Sequence, residues 1–162
     1  MKKSFSQAQR AYLAGFLDGD GSVYVQLKPN KTYKFGFQIA SYIVLFQSQK
    51  DQNNFEKICS MVGLGYMRYR KDGILEYIIG TKEGINRFIK IIEPYVVLKK
   101  EQIKLLKKII SLKENIKSRK NFTVLAGIID KFRELNYSKK RKIRTLTPYR
   151  LASKKSGALN KC

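Results

Sequence analysis

Histidine is absent from the 162-residue chain. Chemistries that need an imidazole, as general base or as metal ligand, are therefore excluded. Cysteine occurs only as Cys59 and Cys162. Cys59 falls on an apolar helical face and reads as core, and Cys162 is terminal. Neither a thiolate zinc site nor a disulfide framework is available. Acidic residues are scarce, with 12 Asp+Glu against 34 Lys+Arg and a net charge of +22. No apolar run approaches the roughly 20 residues needed to span a bilayer. No secretory signal precedes the first helical pattern, which starts close enough to Met1 to leave no room for a long transit sequence.

What is present is positive charge and aromatic residues. The basic excess favours a polyanionic partner and salt-sensitive binding. By itself it does not separate DNA from RNA or from an anionic membrane surface. It is densest at Lys139-Lys140-Arg141-Lys142. The length suits one domain, 1–162, with a basic tail from about 138. Abundant Lys, Ile, Asn and Tyr point to an AT-rich coding genome.

Ser6 and Gln9 form a capping box for a first helix. After Gly21 the period changes to two. Val23, Val25 and Leu27 alternate with Ser22, Tyr24, Gln26 and Lys28, and Pro29-Asn30-Lys31-Thr32 reads as a turn. A second strand runs from Phe35 to Phe46. Phe55, Ile58, Cys59 and Val62 mark a helix ended by Gly63. Tyr66, Arg68 and Arg70 alternate on a third strand, and Lys71-Asp72-Gly73 turns it into Leu75, Tyr77 and Ile79. Ile85, Phe88, Ile89 and Ile92 mark a helix stopped before Pro94. Helices near 99–112 and 122–135 follow. The order α-β-β-α-β-β-α implies an α+β layer of four antiparallel strands with helices on one face. The open face then carries Tyr24, Gln26, Lys28, Gln38, Tyr42, Arg68 and Arg70, with Val44, Phe46 and Ile78 among them. Amides and guanidiniums read base edges, and a β-ribbon fits the major groove.

Residues 13 to 21 read Leu-Ala-Gly-Phe-Leu-Asp-Gly-Asp-Gly. The string ends a helix with Asp18 and Asp20, where backbone carbonyls already carry partial negative charge. Carboxylates there make sense if a cation joins them, and all-oxygen ligation suits Mg²⁺. With no histidine, any cleavage of nucleic acid must use carboxylate-bound metal. Ala11, Gly15 and Gly19 share one face at a spacing of four. A stripe of small residues lets a second helix backbone approach. Were that helix from an identical chain, two Asp20 carboxylates would lie side by side. Residues 125 to 130 read Leu-Ala-Gly-Ile-Ile-Asp, but Lys131, Phe132 and Arg133 follow. The second acid and the final glycine are missing, so this reads as coincidence.

The string resembles the signature of the LAGLIDADG homing endonucleases. Lys28-Pro29-Asn30, Tyr33-Lys34-Phe35, Gly63-x-Gly65-Tyr66-x-Arg68-x-Arg70, Pro94 through Lys99 and 136–142 resemble landmarks of the single-motif, homodimeric branch of organellar introns. The resemblance implies an intron-encoded, organellar (chloroplast or mitochondrial) endonuclease with the αββαββα LAGLIDADG fold. Its expected partners are double-stranded DNA and a second copy of itself. Mg²⁺ is the expected cofactor, with Mn²⁺ as a substitute. No small-molecule cofactor and no membrane are expected.

The resemblance also implies site residues. Asp20 is the metal ligand with the Gly19 carbonyl beside it, and Asp18 is structural. Gln47, following the second strand, orders water. Lys99 lies near the scissile phosphate, with Lys100 as its one-position alternative. Asp51 stands near where the family often has a basic residue, with Lys50 before it. The DNA-contacting set comprises Ser22, Tyr24, Gln26, Lys28, Asn30, Thr32, Tyr33, Gln38, Ala40, Tyr42, Val44, Tyr66, Arg68, Arg70, Glu76 and Ile78. Ser138, Lys139 and Lys142 match a phosphate-contacting loop. The dimer contact comprises Ala11, Tyr12, Gly15, Phe16 and Gly19. Two functions compete on these residues: a homodimeric endonuclease cutting a long pseudo-palindromic site, and a non-cutting nucleic-acid binder such as an intron-splicing maturase. A carboxylate nuclease of the PD-(D/E)xK type finds no properly spaced set.

Overall fold

The computed structural model describes residues 4–136. The order is α1 (Gln7–Asp20), β1 (Gly21–Pro29), β2 (Phe37–Ser48), α2 (Gln52–Val62), β3 (Tyr66–Tyr69), β4 (Ile74–Ile79), α3 (Lys82–Ile92), α4 (Lys100–Glu114) and α5 (Arg119–Glu134). The strands pair in the order β1-β2-β4-β3. β4 runs antiparallel to both β2 and β3. Ser138, Lys139 and Lys142 lie outside the described residues.

The described residues fall into two compact units, 4–24 with 41–107 and 25–40 with 108–136. In the first, the Ser6 capping box closes on Gln9 and starts α1. Its core takes one face of each element: Leu13 and Leu17 from α1, Ile43 and Leu45 from β2, Phe55 from α2, Leu75 and Ile79 from β4, and Phe88 and Ile92 from α3. Removing these side chains from water stabilises the fold by about 1.5–3 kcal/mol each. Arg10 ties α1 to the end of α3, donating to the carbonyls of Ile91 at 2.8 Å and Lys90 at 3.2 Å. Those carbonyls lack helical partners and suit a cation.

In the second unit, Phe35 and Phe37 stack on Phe122 with centroids 5.3 and 6.1 Å away. Phe122, Leu125, Ala126, Ile129 and Phe132 form the buried stripe of α5. The signature-like 125–130 stretch is therefore the middle of one amphipathic helix.

Several boundaries differ from the sequence expectation. β2 starts at Phe37 rather than Phe35, because the loop consumes two more residues. Asn30 donates its N–H to the Gly36 carbonyl at 2.8 Å. Its side chain accepts from the Thr32 N–H and hydroxyl. β2 also continues to Ser48, so Gln47 lies inside the strand and not after it. α5 begins at Arg119, three residues before the expected start, where the Ser118 hydroxyl accepts from the Asn121 N–H. That polar first turn has no apolar period to betray it.

Candidate nuclease site

α1 ends on Asp20, and the chain turns directly into β1 at Gly21. A Cβ at Gly21 would meet Leu17 atoms at 2.6–2.8 Å, so only glycine allows this tight exit. The two signature carboxylates have separate fates. Asp18 accepts the backbone N–H groups of Val97 at 2.7 Å, Leu98 at 3.1 Å and Lys99 at 3.0 Å. These N–H groups lead into α4, where a carboxylate is favourable. In return, the Lys99 ammonium donates to the Asp18 backbone carbonyl at 2.7 Å. It thereby offsets the negative end of α1. Asp20 remains exposed beyond this clasp.

The clasp bears on the choice between Lys99 and Lys100. Lys99 reaches the end of α1, whereas Lys100 is the exposed first residue of α4. Gln47 stands near the end of β2, in register with Leu75. Its side-chain carbonyl accepts the Ser48 N–H at 2.7 Å. β1 and β2 join through the 30–36 loop, so the start of β1 and the end of β2 occupy one end of the hairpin. Asp20, Lys99 and Gln47 thus come from the same end of the first unit. Lys50 is exposed in a single 3₁₀ turn, Gln49–Asp51, and Asp51 makes no side-chain cap.

The donors available to a cation at this point are the Asp20 carboxylate and the Gly19 carbonyl. Hard oxygen donors with no thiol or imidazole fit Mg²⁺. Among the described residues no cluster of three or more His, Cys, Asp or Glu could hold a metal. The described residues of one chain thus supply only part of a coordination shell, and water, which Mg²⁺ readily retains, can complete it along with other oxygen donors.

The outer side of α1 is open. Ala11, Tyr12, Gly15 and Gly19 are exposed, and a Cβ at Gly15 or Gly19 would meet nothing within 4 Å among the described residues. Phe16 is half-buried, stacked on Phe55 at 5.9 Å with Tyr12 tilted against it at 6.1 Å. Val97 and Leu98, fastened to α1 through Asp18, are 75% and 77% exposed. They enlarge the apolar surface beside the helix, which sequence periodicity did not reveal because they sit in a loop.

The open sheet face of the first unit differs from the sequence expectation. Val44 pairs with Ile78, which pairs with Tyr66. Val44 is 1% exposed and Ile78 6%. Their side chains are packed within the face, the buried one of the two roles, burial or contact, that apolar residues there suggest. Tyr24 and Tyr42 lie together at 6.2 Å, half-buried, and Tyr66 is exposed. Glu76 is also buried, in the row Phe46–Glu76–Arg68. It is an ion-pair centre rather than an exposed contact. Arg68 Nε donates to it at 2.5 Å, and Arg70 Nη1 at 3.3 Å. Arg70 also pairs with Asp72 through Nε and Nη2. The Asp72 side chain holds the Arg70 guanidinium above its ordinary pKa, and Asp72 falls below the usual carboxylate range for the same reason. Ser22 is half-buried at the start of β1.

In the second unit, Lys28, Thr32 and Tyr33 are exposed, and Gln26, Asn30, Gln38 and Ala40 are half-buried. The Asn30 side chain is engaged by Thr32, which shapes the hairpin tip.

The profile of the LAGLIDADG endonuclease family matches residues 13–112. The chain is 33% identical over 143 residues to DNA endonuclease I-CreI of Chlamydomonas reinhardtii, covering 88% of this chain and 87% of that protein. It is 31% identical over 137 residues to DNA endonuclease I-CvuI of Chlorella vulgaris, covering 85% of each. A crystal structure of the homing endonuclease I-CvuI, complexed with the I-CreI target in 2 mM Mg and holding uncleaved DNA, superposes with a TM-score of 0.84 at 30% identity. It covers 93% of this chain and 96% of that one. On its sequence and its fold alike, the chain belongs to the LAGLIDADG endonuclease family.

Proposed function

We propose that this chain is a site-specific homing endonuclease that hydrolyses both strands of a long, pseudo-palindromic DNA site as a homodimer. The observation that carries the reading is the end of α1. There Asp20 is left exposed while Asp18 and Lys99 lock the helix end in place. One chain offers one such carboxylate, and a hydrolytic site for two phosphodiesters needs two. The small outer stripe of α1, flanked by Tyr12, Val97 and Leu98, suits a second copy of the same helix. Related DNA endonucleases with nearly the same span support the reading.

Asp20 and the Gly19 carbonyl would hold a divalent ion, Mg²⁺ or, through the same oxygen donors, Mn²⁺. Such an ion supplies charge stabilisation at phosphate and activation of water when bound. Lys99 places a positive charge beside the developing charge on the phosphate. Gln47, with its carbonyl engaged by Ser48, offers its amide to order water. Arg68 and the exposed groups of both units, Lys28 and Tyr33 among them, contact DNA. An organelle-encoded origin, chloroplast or mitochondrial, is part of the proposal. It rests on the resemblance to the organellar branch and on the AT-rich codon bias that the composition implies.

The test is a cleavage selection on a randomised duplex library with Mg²⁺. Sequenced ends should converge on double-strand cuts within one pseudo-palindromic motif. A motif that is bound but never cut, with Mg²⁺ or Mn²⁺, would identify a non-cutting binder instead.

A further inference from the structure

β2 outruns its neighbour β4. Its register on β4 runs from Ile43 to Ser48, yet the strand starts at Phe37, so no β4 residue stands opposite its first half. Backbone groups along such an edge need other partners. Within the second unit, the corner between α4 and α5 supplies one and holds the hairpin at two further points. Lys113, in the last turn of α4, donates from Nζ to the Ile39 carbonyl at 2.8 Å, in a partly buried bond. Lys34, in the 30–36 loop, donates to the Lys117 carbonyl between the two helices at 3.2 Å. Phe122, 1% exposed, carries the stacked rings of Phe35 and Phe37. The loop also closes on itself, with the Gly36 N–H donating to the Tyr33 carbonyl at 2.8 Å. Its shape is thus set locally, and its place is set by the corner.

These contacts reach the open face through the pleat. Successive side chains point to opposite faces of a strand. Phe37 meets Phe122 and Ile39 is buried, so Gln38 and Ala40 turn to the other face, where both are half-buried. A glutamine pairs bidentately with adenine only when its carbonyl and its amide nitrogen both meet the base edge. A strand held loosely at Ile39 would spread the adjoining Gln38 side chain over several directions. In a chain with 34 Lys+Arg, an exposed lysine on α4 would ordinarily be a solvated charge or a phosphate contact. Lys113 instead spends its ammonium on the backbone beside Gln38.

We propose that Lys113 and Phe122 are positioning residues for base readout: they fix the first half of β2 from its helical side, so that Gln38 meets its base in one geometry. Neither touches a base. This rests on the DNA-binding reading above. Lys113→Met removes the donor and keeps an apolar stem. It changes an exposed position and leaves the core intact. Phe122→Leu keeps the burial and removes the stacked ring.

The experiment is a binding selection on a randomised duplex library in calcium-containing buffer, with sequencing of bound DNA. Affinities for the selected site are measured alongside at several salt concentrations. Gln38→Ala marks the base pairs that Gln38 reads. Lys113→Met and Phe122→Leu should each weaken preference at those base pairs by about threefold or more, and leave the others within about twofold of wild type. The slope of log K against log salt should stay at its wild-type value. Should Phe122→Leu fail to fold, Lys113→Met decides alone. A loss equal for all sequences, with the slope reduced by about one, would make Lys113 a phosphate contact and overturn the proposal. Equal relaxation at every base pair would show general loosening and overturn it too, as would an unchanged profile in Lys113→Met. If wild type enriches a long motif that Gln38→Ala leaves unchanged, there is no readout to position and this proposal falls alone. If wild type enriches no long motif, the DNA-binding reading fails and this proposal falls with it.

Discussion

Asp18 and Asp20 are two residues apart, and the fold gives them opposite tasks. Asp18 is spent on three backbone N–H groups, while Asp20 stays exposed at the helix end. Asp20→Asn keeps the shape and removes the charge that would hold a metal. It should lower the cleavage rate at least about 10²-fold, the scale of losing a key electrostatic group, while DNA binding in calcium stays within a few-fold. Near wild-type cutting of a plasmid target would remove Asp20 from the site. Cys59 is a different residue-scale case. Burial pushes its thiol up to about 12 from 9.0. The folded state thus favours the neutral thiol. The associated stability is intact below the unfolded thiol pKa and is lost as pH rises from about 9 towards 12. Urea midpoints measured from pH 8 to pH 10.5 should fall less steeply in Cys59→Ala than in wild type. Equal slopes would contradict the buried, neutral thiol.

At the scale of elements, α1 joins the buried and the functional parts of the first unit. Leu13, Ala14 and Leu17 anchor it, and Ala11, Gly15 and Gly19 leave its other side bare. A Cβ at Gly15 would meet nothing within 4 Å among the described residues, so Gly15→Leu should fold normally. As a wedge between two α1 helices it should instead separate the copies. Sedimentation should show monomers with no double-strand cutting, and an active dimer of this variant would exclude the paired-helix arrangement. Much of this layout was legible in the sequence. The period of four on α1, the period of two on β1 and β2, and Gly63 ending α2 each follow from local rules. What was not legible depends on neighbours. Alternation places Val44 and Ile78 on the open face, but only the β2–β4 register shows them packed against each other. Lys71-Asp72-Gly73 reads as a turn, and nothing local says that Asp72 turns back onto Arg70. The Asp18 clasp joins residues about eighty positions apart, beyond any sequence period.

For the whole molecule, the length of the DNA site follows from strand geometry. β1 has nine residues; at roughly 3.3 Å each it extends some 30 Å, or about nine base pairs at 3.4 Å. Two copies should protect on the order of 18–22 base pairs in a footprint, and protection under about 12 would contradict strands laid along the groove. The most direct test of the paired assembly mixes subunits. Wild-type and Asp20→Asn chains are co-expressed in equal amounts, purified together and assayed for double-strand cutting at fixed total protein. If each cut duplex requires an Asp20 from both copies, activity should fall with the square of the wild-type fraction, to about one quarter. A fall to only about one half would mean that each chain cuts alone, and the shared two-chain site would be wrong.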